Sequence, residues 1–165
     1  MQKSFMTKPE IKLAGISVRT SYQQELDKMK GKIFPCVQQY FHQALFEKIP
    51  HRTKPGTTFC VYAEYDSDYR GAYTYFIGEE VSSFDSLPEG FQQLTIPEQH
   101  YVKLTSGPAP MPDVIVNAWE KIWAMTPAEF GGKRRYHTDY EIYDERAADH
   151  SNIVLDIYVG IQPFP

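Results

Sequence analysis

The sequence predicts an α+β fold built from two similar strand, helix, hairpin units that meet at a central cleft, and three observations carry that prediction. Strand-like and helix-like hydrophobic periods alternate in the same order twice. Gly, Pro and Asp clusters punctuate each change of period. At 165 residues the chain is the size of one domain, able to bury roughly two-thirds of its unfolded surface without a disulfide or metal staple.

The first unit opens with IKLAGISVRT, residues 11–20, whose apolar alternation reads as a strand. Residues 21–32 are polar and Lys-rich, and read as loop or a frayed helical turn. Pro35 then suits the first turn of a helix in which Val37, Tyr40, Phe41, Ala44 and Leu45 recur at helical steps, until Pro50 ends it. Beyond HRTKPGT, the segment FCVYAEYDSDYRGAYTYFIGEEV is two β-rich runs around Asp66, Ser67, Asp68 and Gly71, which is hairpin chemistry.

The second unit follows a loop at 82–90. Pro97 marks a break or an edge position before a strand at His100 to Thr105. Asp113 suits the N-cap of a helix carrying Ile115, Ala118, Trp119, Ile122 and Trp123 to Thr126 and Pro127. Gly131 and Gly132 punctuate its exit, and YHTDYEIYDER and NIVLDIYVGI form a second hairpin around ADHS. The order repeats, so the single domain, residues 1–165, reads as a duplication of about 75 residues with repeats near 11–86 and 91–163. Duplicated units packed about a pseudo-twofold axis leave a groove between them, a common place for a ligand.

Composition narrows the function. The formal net charge of -4 argues against a nucleic-acid binder. The one basic cluster, Lys133, Arg134 and Arg135, reads as a solvated loop. No stretch is apolar and long enough to span a bilayer, and MQKSFMTKPE is not of signal-peptide type, so the cytoplasm is the expected location. Cys36 and Cys60 show no paired metal spacing, and the five His are scattered. Glu64, Asp66 and Asp68 lack the twelve-residue calcium loop. No metal or cofactor is therefore expected, and hydrolase and nucleotide motifs are absent. The distinctive figure is an aromatic fraction of 15 %, with twelve Tyr and two Trp. Tyr has an apolar body and a polar tip, so such a chain can line a ligand cavity as well as a core.

Glu141 is the principal candidate site residue. YEIYD places a carboxylate in mid-strand, where Glu is depleted, with Asp139, Glu141 and Tyr143 on one face. Either that face is solvated or the charge is held for a reason. Facing the groove, it would need hydrogen bonds or a counter-charge. Tyr hydroxyls supply the first and a lipophilic cation the second, helped by cation–π contacts. Trp119 and Trp123, four apart, share a helix face and belong to the core, the cavity wall or both. Tyr62, Tyr65, Tyr75, Tyr101 and Tyr158 are weaker candidates of the same kind.

Three segments, TFCVYAEYDSDYRGAYTYFIGEEV, VNAWEKIW and DYEIYDERAADHSNIVLDIYVGIQP, resemble in order and spacing the GyrI-like effector-binding domains of bacterial transcription activators of the AraC type. That family also occurs as single-domain proteins and in mobile gene cassettes. The resemblance runs from Ile11 to Pro163. It implies a duplicated α+β fold with a central cleft and, as in multidrug-binding members, a cleft Glu among aromatics that receives cationic lipophilic compounds. Glu141 falls at that Glu, Tyr143 and Tyr158 at cleft aromatics, and Trp119 at the Trp of the second helix. The activators also carry a helix-turn-helix domain, for which this sequence has neither the length nor the basic helices, so DNA binding by this chain alone is not expected.

The expected function is a stand-alone effector-binding domain for cationic, lipophilic compounds, monomeric or homodimeric, and not an enzyme. Two alternatives stay open. One is a small-molecule hydrolase with Glu141 as general base and a Tyr as acid. The other is a protein-interaction module such as an enzyme inhibitor.

Overall fold

In a computed structural model that describes residues 1–165, the chain forms one continuous nine-stranded antiparallel sheet, four strands from its first half and five from its second. The strands of the first half are β1 (Gln2–Lys8), β2 (Ile11–Ser21), β3 (Thr58–Ala63) and β4 (Ala72–Glu80). Those of the second are β5 (Gln92–Ile96), β6 (Gln99–Ala109), β7 (Gly132–Arg134), β8 (Thr138–Tyr143) and β9 (Ile153–Pro163). Their order across the sheet is β1-β6-β9-β8-β3-β4-β2-β5, with β7 paired to β9 outside that path.

This order reads the same from either end, about an axis between β8 and β3. Each half holds a central hairpin, β3–β4 or β8–β9, flanked by a long strand, β2 or β6. Each outer edge is a strand exchanged from the other half, since β1 pairs with β6 and β5 with β2. The two links that allow the exchange are alike: Pro9–Glu10 joins β1 to β2, and Pro97–Glu98 joins β5 to β6. Proline cannot donate a ladder hydrogen bond, so it ends a strand and starts the next without slippage. The sequence reading began the first repeat at Ile11 and missed β1. MQKSFMTK gives weak alternation because it is an edge strand exposed along most of its length.

Both main helices lie on one face of the sheet. Helix α2 (Ile33–His42) turns Cys36 and Tyr40 onto Cys60, Tyr75 and Ile77. Helix α3 (Asp113–Ala124) turns Val114, Ala118, Trp119 and Ile122 onto Val102, Leu104, Leu155 and Ile157. A buried side chain of this size contributes about 1.5–3 kcal/mol, so each helix is fixed chiefly by its apolar stripe. Asp113 starts α3, but its side chain makes no cap; the capping position is Pro112. The opposite face carries Phe59, Val61, Tyr101, Tyr140 and Tyr158, closed over by Met6 and Leu94 of the edge strands.

Two short helices complete the frame. Helix α1 (Tyr22–Leu26) is capped by Ser21, whose hydroxyl accepts from the Gln24 amide. Helix α4 (Pro127–Phe130) has a reciprocal capping box between Thr126 and Glu129, and ends at Gly131 with φ 72°. A side chain there would be strained, and a Cβ would strike the Phe5 ring. No helix is long and apolar enough to cross a membrane.

Candidate functional site

The site forms where the two halves meet. On the axis strands, Cys60 of β3 lies directly opposite Glu141 of β8. Opposed residues of an antiparallel pair point to the same face, and here it is the helix face. Two residues further along each strand stand Tyr62 and Tyr143, which flank the Cys60–Glu141 pair from opposite ends. Both bend back to the carboxylate. Tyr62 Oη donates to Glu141 Oε2 at 2.8 Å and Tyr143 Oη donates to Oε1 at 2.8 Å. From above, Trp119 of α3 donates its indole Nε1–H to Oε2 at 2.7 Å.

Glu141 is 2 % exposed and pairs with no Lys, Arg or His. Its three partners are neutral donors. Burial pushes its carboxyl pKa up, and the hydrogen bonds from Trp119, Tyr62 and Tyr143 pull it back only in part. The same burial, with the carboxylate beside them, raises the Tyr62 and Tyr143 phenols well above the usual value. Burial likewise raises the Cys60 thiol, which therefore stays protonated. Every group around the carboxylate is thus neutral, and the negative charge has no partner inside the protein.

Above this floor lies a cavity of about 360 Å³ lined by Tyr22, Glu25, Leu26, Ile33, Tyr62, Tyr65, Tyr69, Tyr73, Ile115, Val116, Trp119, Trp123 and Arg134. Two of its ring pairs meet edge to face. Tyr62 and Trp119 have centroids 5.2 Å apart at 68°, and Tyr22 meets Trp123 at 5.4 Å and 82°. Tyr62 and Trp119 are the shared elements: each lines the cavity and each hydrogen-bonds Glu141 beneath it.

Of the residues singled out from the sequence, Glu141, Tyr143, Tyr62 and Trp119 come together as one hydrogen-bonded cluster. Trp123 joins the cavity wall at 48 % exposure, with its centroid 6.5 Å from that of Trp119. Tyr75 lies behind the cluster, 5.5 Å from Tyr62 by centroid, and does not reach the cavity. Tyr101 and Tyr158 do not join it. Tyr158 is paired with Tyr140, which neighbours Glu141 in sequence and so points through the sheet, and Tyr101 packs with them on the opposite face. The alternation that turns Glu141 inward turns Tyr158 away.

One further expectation is resolved and one is corrected. Of the two readings of 21–32, loop or frayed helical turn, residues 22–26 take the helical one, and α1 places Tyr22, Glu25 and Leu26 over the cavity. Glu25 takes hydrogen bonds from Thr20 Oγ1 and the amides of Lys32 and Ile33, closing the start of α2. The Ser-x-x-Gln spacing of Ser21 and Gln24 was the available sign of a helix start. Arg134 is not part of a solvated loop. Its side chain is 8 % exposed, Nη2 donates to Asp139 at 2.7 Å, and its guanidinium lies over Tyr136 at 4.4 Å. β7 pairs with β9 and draws it inward.

This duplicated α+β sheet, with two helices on one face and a cleft on the seam, is the GyrI-like fold. The family of integron-associated effector binding proteins, Cass2, matches residues 5–161, and the chain belongs to it. The protein YobU of Bacillus subtilis (strain 168), described as a candidate transcriptional regulator, is 26 % identical over 151 residues, 92 % of each chain. Among solved structures, an integron cassette protein from the mobile metagenome of Vibrio cholerae superposes with a TM-score of 0.76 at 23 % identity, over 97 % of this chain and 95 % of that one. SAV2435, solved bound to tetraphenylphosphonium, superposes with a TM-score of 0.74 at 14 % identity, over 98 % of this chain and 94 % of that one.

Proposed function

We propose that the protein is a receptor for lipophilic cations, in which Tyr62 and Trp119 form the floor that a ligand meets and Glu141 is the counter-charge beneath them. The observation that carries this reading is a buried carboxylate held only by neutral donors under an aromatic cavity. Keeping such a charge without a partner is costly, and a bound cation removes the imbalance. Two unit charges ~5 Å apart attract by about 3 kcal/mol at an effective dielectric constant near 20. Each cation–π contact adds about 0.5–2 kcal/mol. The carboxylate therefore outweighs any single ring, and the rings select for a flat or tetra-aryl apolar body. Binding of tetraphenylphosphonium by SAV2435 supports the same ligand class.

In the cell, such a domain would act in the cytoplasm as a sensor or sequestering module, its regulatory output passing through another chain. Titrating the protein with tetraphenylphosphonium while following Trp fluorescence tests the reading, because Trp119 and Trp123 both line the cavity. Saturable quenching is expected. Glu141→Gln, which keeps the shape and removes the charge, is expected to weaken binding by at least tenfold. Equal affinity of the variant and the parent would sink the electrostatic role.

A further inference from the structure

The aromatic cavity does not end at Trp123. A second hollow of about 600 Å³ begins on its far side, and the two share Tyr22, Tyr69, Trp123 and Arg134 as common wall. The second hollow has an apolar base that includes Ile122, Met125 and Phe130 from α3, its C-terminal connection and α4.

The two hollows differ in charge. The first has Glu25 in its wall and Glu141 under its floor. The second contains no Asp or Glu among its lining residues, but has Lys133 and Arg134. Lys133 is exposed and pairs with no carboxylate. Arg134 spends Nη2 on Asp139, while its Nε is buried without a hydrogen-bond partner. The Trp119 indole links the opposite ends: its Nε1–H reaches Glu141, and its ring lies 5.9 Å from the Arg134 guanidinium. Asp139 already neutralises Arg134, so the charges left without an ionic partner around the two adjoining hollows are carboxylates at the first and the Lys133 ammonium at the second.

We propose that the two hollows are one elongated site for an amphoteric lipophilic molecule, whose cation sits over the Glu141 end while a carboxylate on the same molecule reaches the Lys133 ammonium. This rests on the cation-receptor reading and adds the second half of the ligand. A cation alone uses one end and leaves Lys133 without a partner. A carboxylate tethered a few bonds away finds an ammonium at the site's other end, with little further loss of translational freedom because the ligand is already held.

The probes are butyltriphenylphosphonium and (4-carboxybutyl)triphenylphosphonium, which share the cation and differ by the carboxylate on the tail. In low salt the acid-tailed compound is expected to bind at least fivefold more tightly, although its net charge is zero. In Lys133→Gln, an exposed substitution that leaves the Arg134–Asp139 pair intact, the ratio of the two affinities is expected to fall to about one. A crystal of the acid-tailed complex should show the carboxylate within hydrogen-bonding distance of Lys133. If the butyl compound binds and the acid-tailed one binds no better, the elongated site is wrong while the cation receptor stands. If neither binds, both readings fall.

Discussion

Two carboxylates stand two residues apart on β8, point to the same face and are almost wholly buried, yet they are treated in opposite ways. Asp139, 0 % exposed, is fully matched: Arg134 donates to it at 2.7 Å, Tyr65 Oη at 2.7 Å and the Gly160 amide at 2.8 Å. Glu141 has the same number of hydrogen bonds but no cation. The first arrangement closes a charge account within the fold, tying β7, β8 and β9 together. The second leaves a buried charge with no cation beside it. Hydrogen-bond counts alone do not distinguish the two acids; the charge of their partners does.

The sharpest way to break that comparison is to remove the matched charge. Asp139→Asn keeps most of the hydrogen bonding and strands the buried Arg134 guanidinium. We expect a loss of about 3–5 kcal/mol, read from urea unfolding. A loss under about 1 kcal/mol would show that Arg134 finds water or another partner, and that the two acids are not opposites. For Glu141 the sign reverses. Its carboxyl is pushed above its ordinary value in the folded protein, so the folded state holds that proton more tightly than the unfolded chain. The stabilising contribution is thus complete below the unfolded pKa and disappears as pH rises through the folded one. The ligand-free protein should gain stability on mild acidification from neutrality through this group. Glu141→Gln should flatten that part of the profile and raise the melting temperature at pH 7 by roughly 2–4 °C, corresponding to about 1 kcal/mol for a domain of this size. A variant that is more stable yet binds at least tenfold more weakly is the signature of a charge kept for its ligand.

Much of this division was legible in the sequence, and the exceptions have physical causes. A Glu in mid-strand between aromatics marked itself, because strand interiors disfavour it. The helical spacing of Trp119 with its apolar neighbours placed an indole over the sheet, and both hairpins were plain from their turn residues. What alternation could not supply was the absolute face of each strand. Tyr158 and Tyr101 looked equivalent to Tyr62 until register placed them behind the sheet. Arg134 was hidden for another reason. Three consecutive basic residues after two glycines look solvated, and only the pairing of a three-residue strand with the distant β9 shows that the middle one turns inward. The α1 segment was obscured by its composition, since a five-residue helix with no buried residue has no apolar period to detect.

The smallest expected effect compares two hydroxyls on opposite faces. Tyr62→Phe removes one of three donors to Glu141 while keeping the ring that lines the cavity. The carboxylate loses a stabilising hydrogen bond, so its pKa should climb further. We expect an affinity for tetraphenylphosphonium reduced by about threefold, within the ~1 kcal/mol that one such bond contributes, with its pH dependence displaced upward. Tyr158→Phe is the matched control. It retains the stack with Tyr140, whose centroid is 4.8 Å away, and the ring face under the Lys8 ammonium at 4.6 Å. The sheet separates it from Glu141, so affinity should stay within twofold and show no new pH dependence. If Tyr158→Phe weakened binding as much as Tyr62→Phe did, the ligand or its charge would be felt through the sheet. The division of β8 and β9 into a binding face and a packing face would then have to be abandoned.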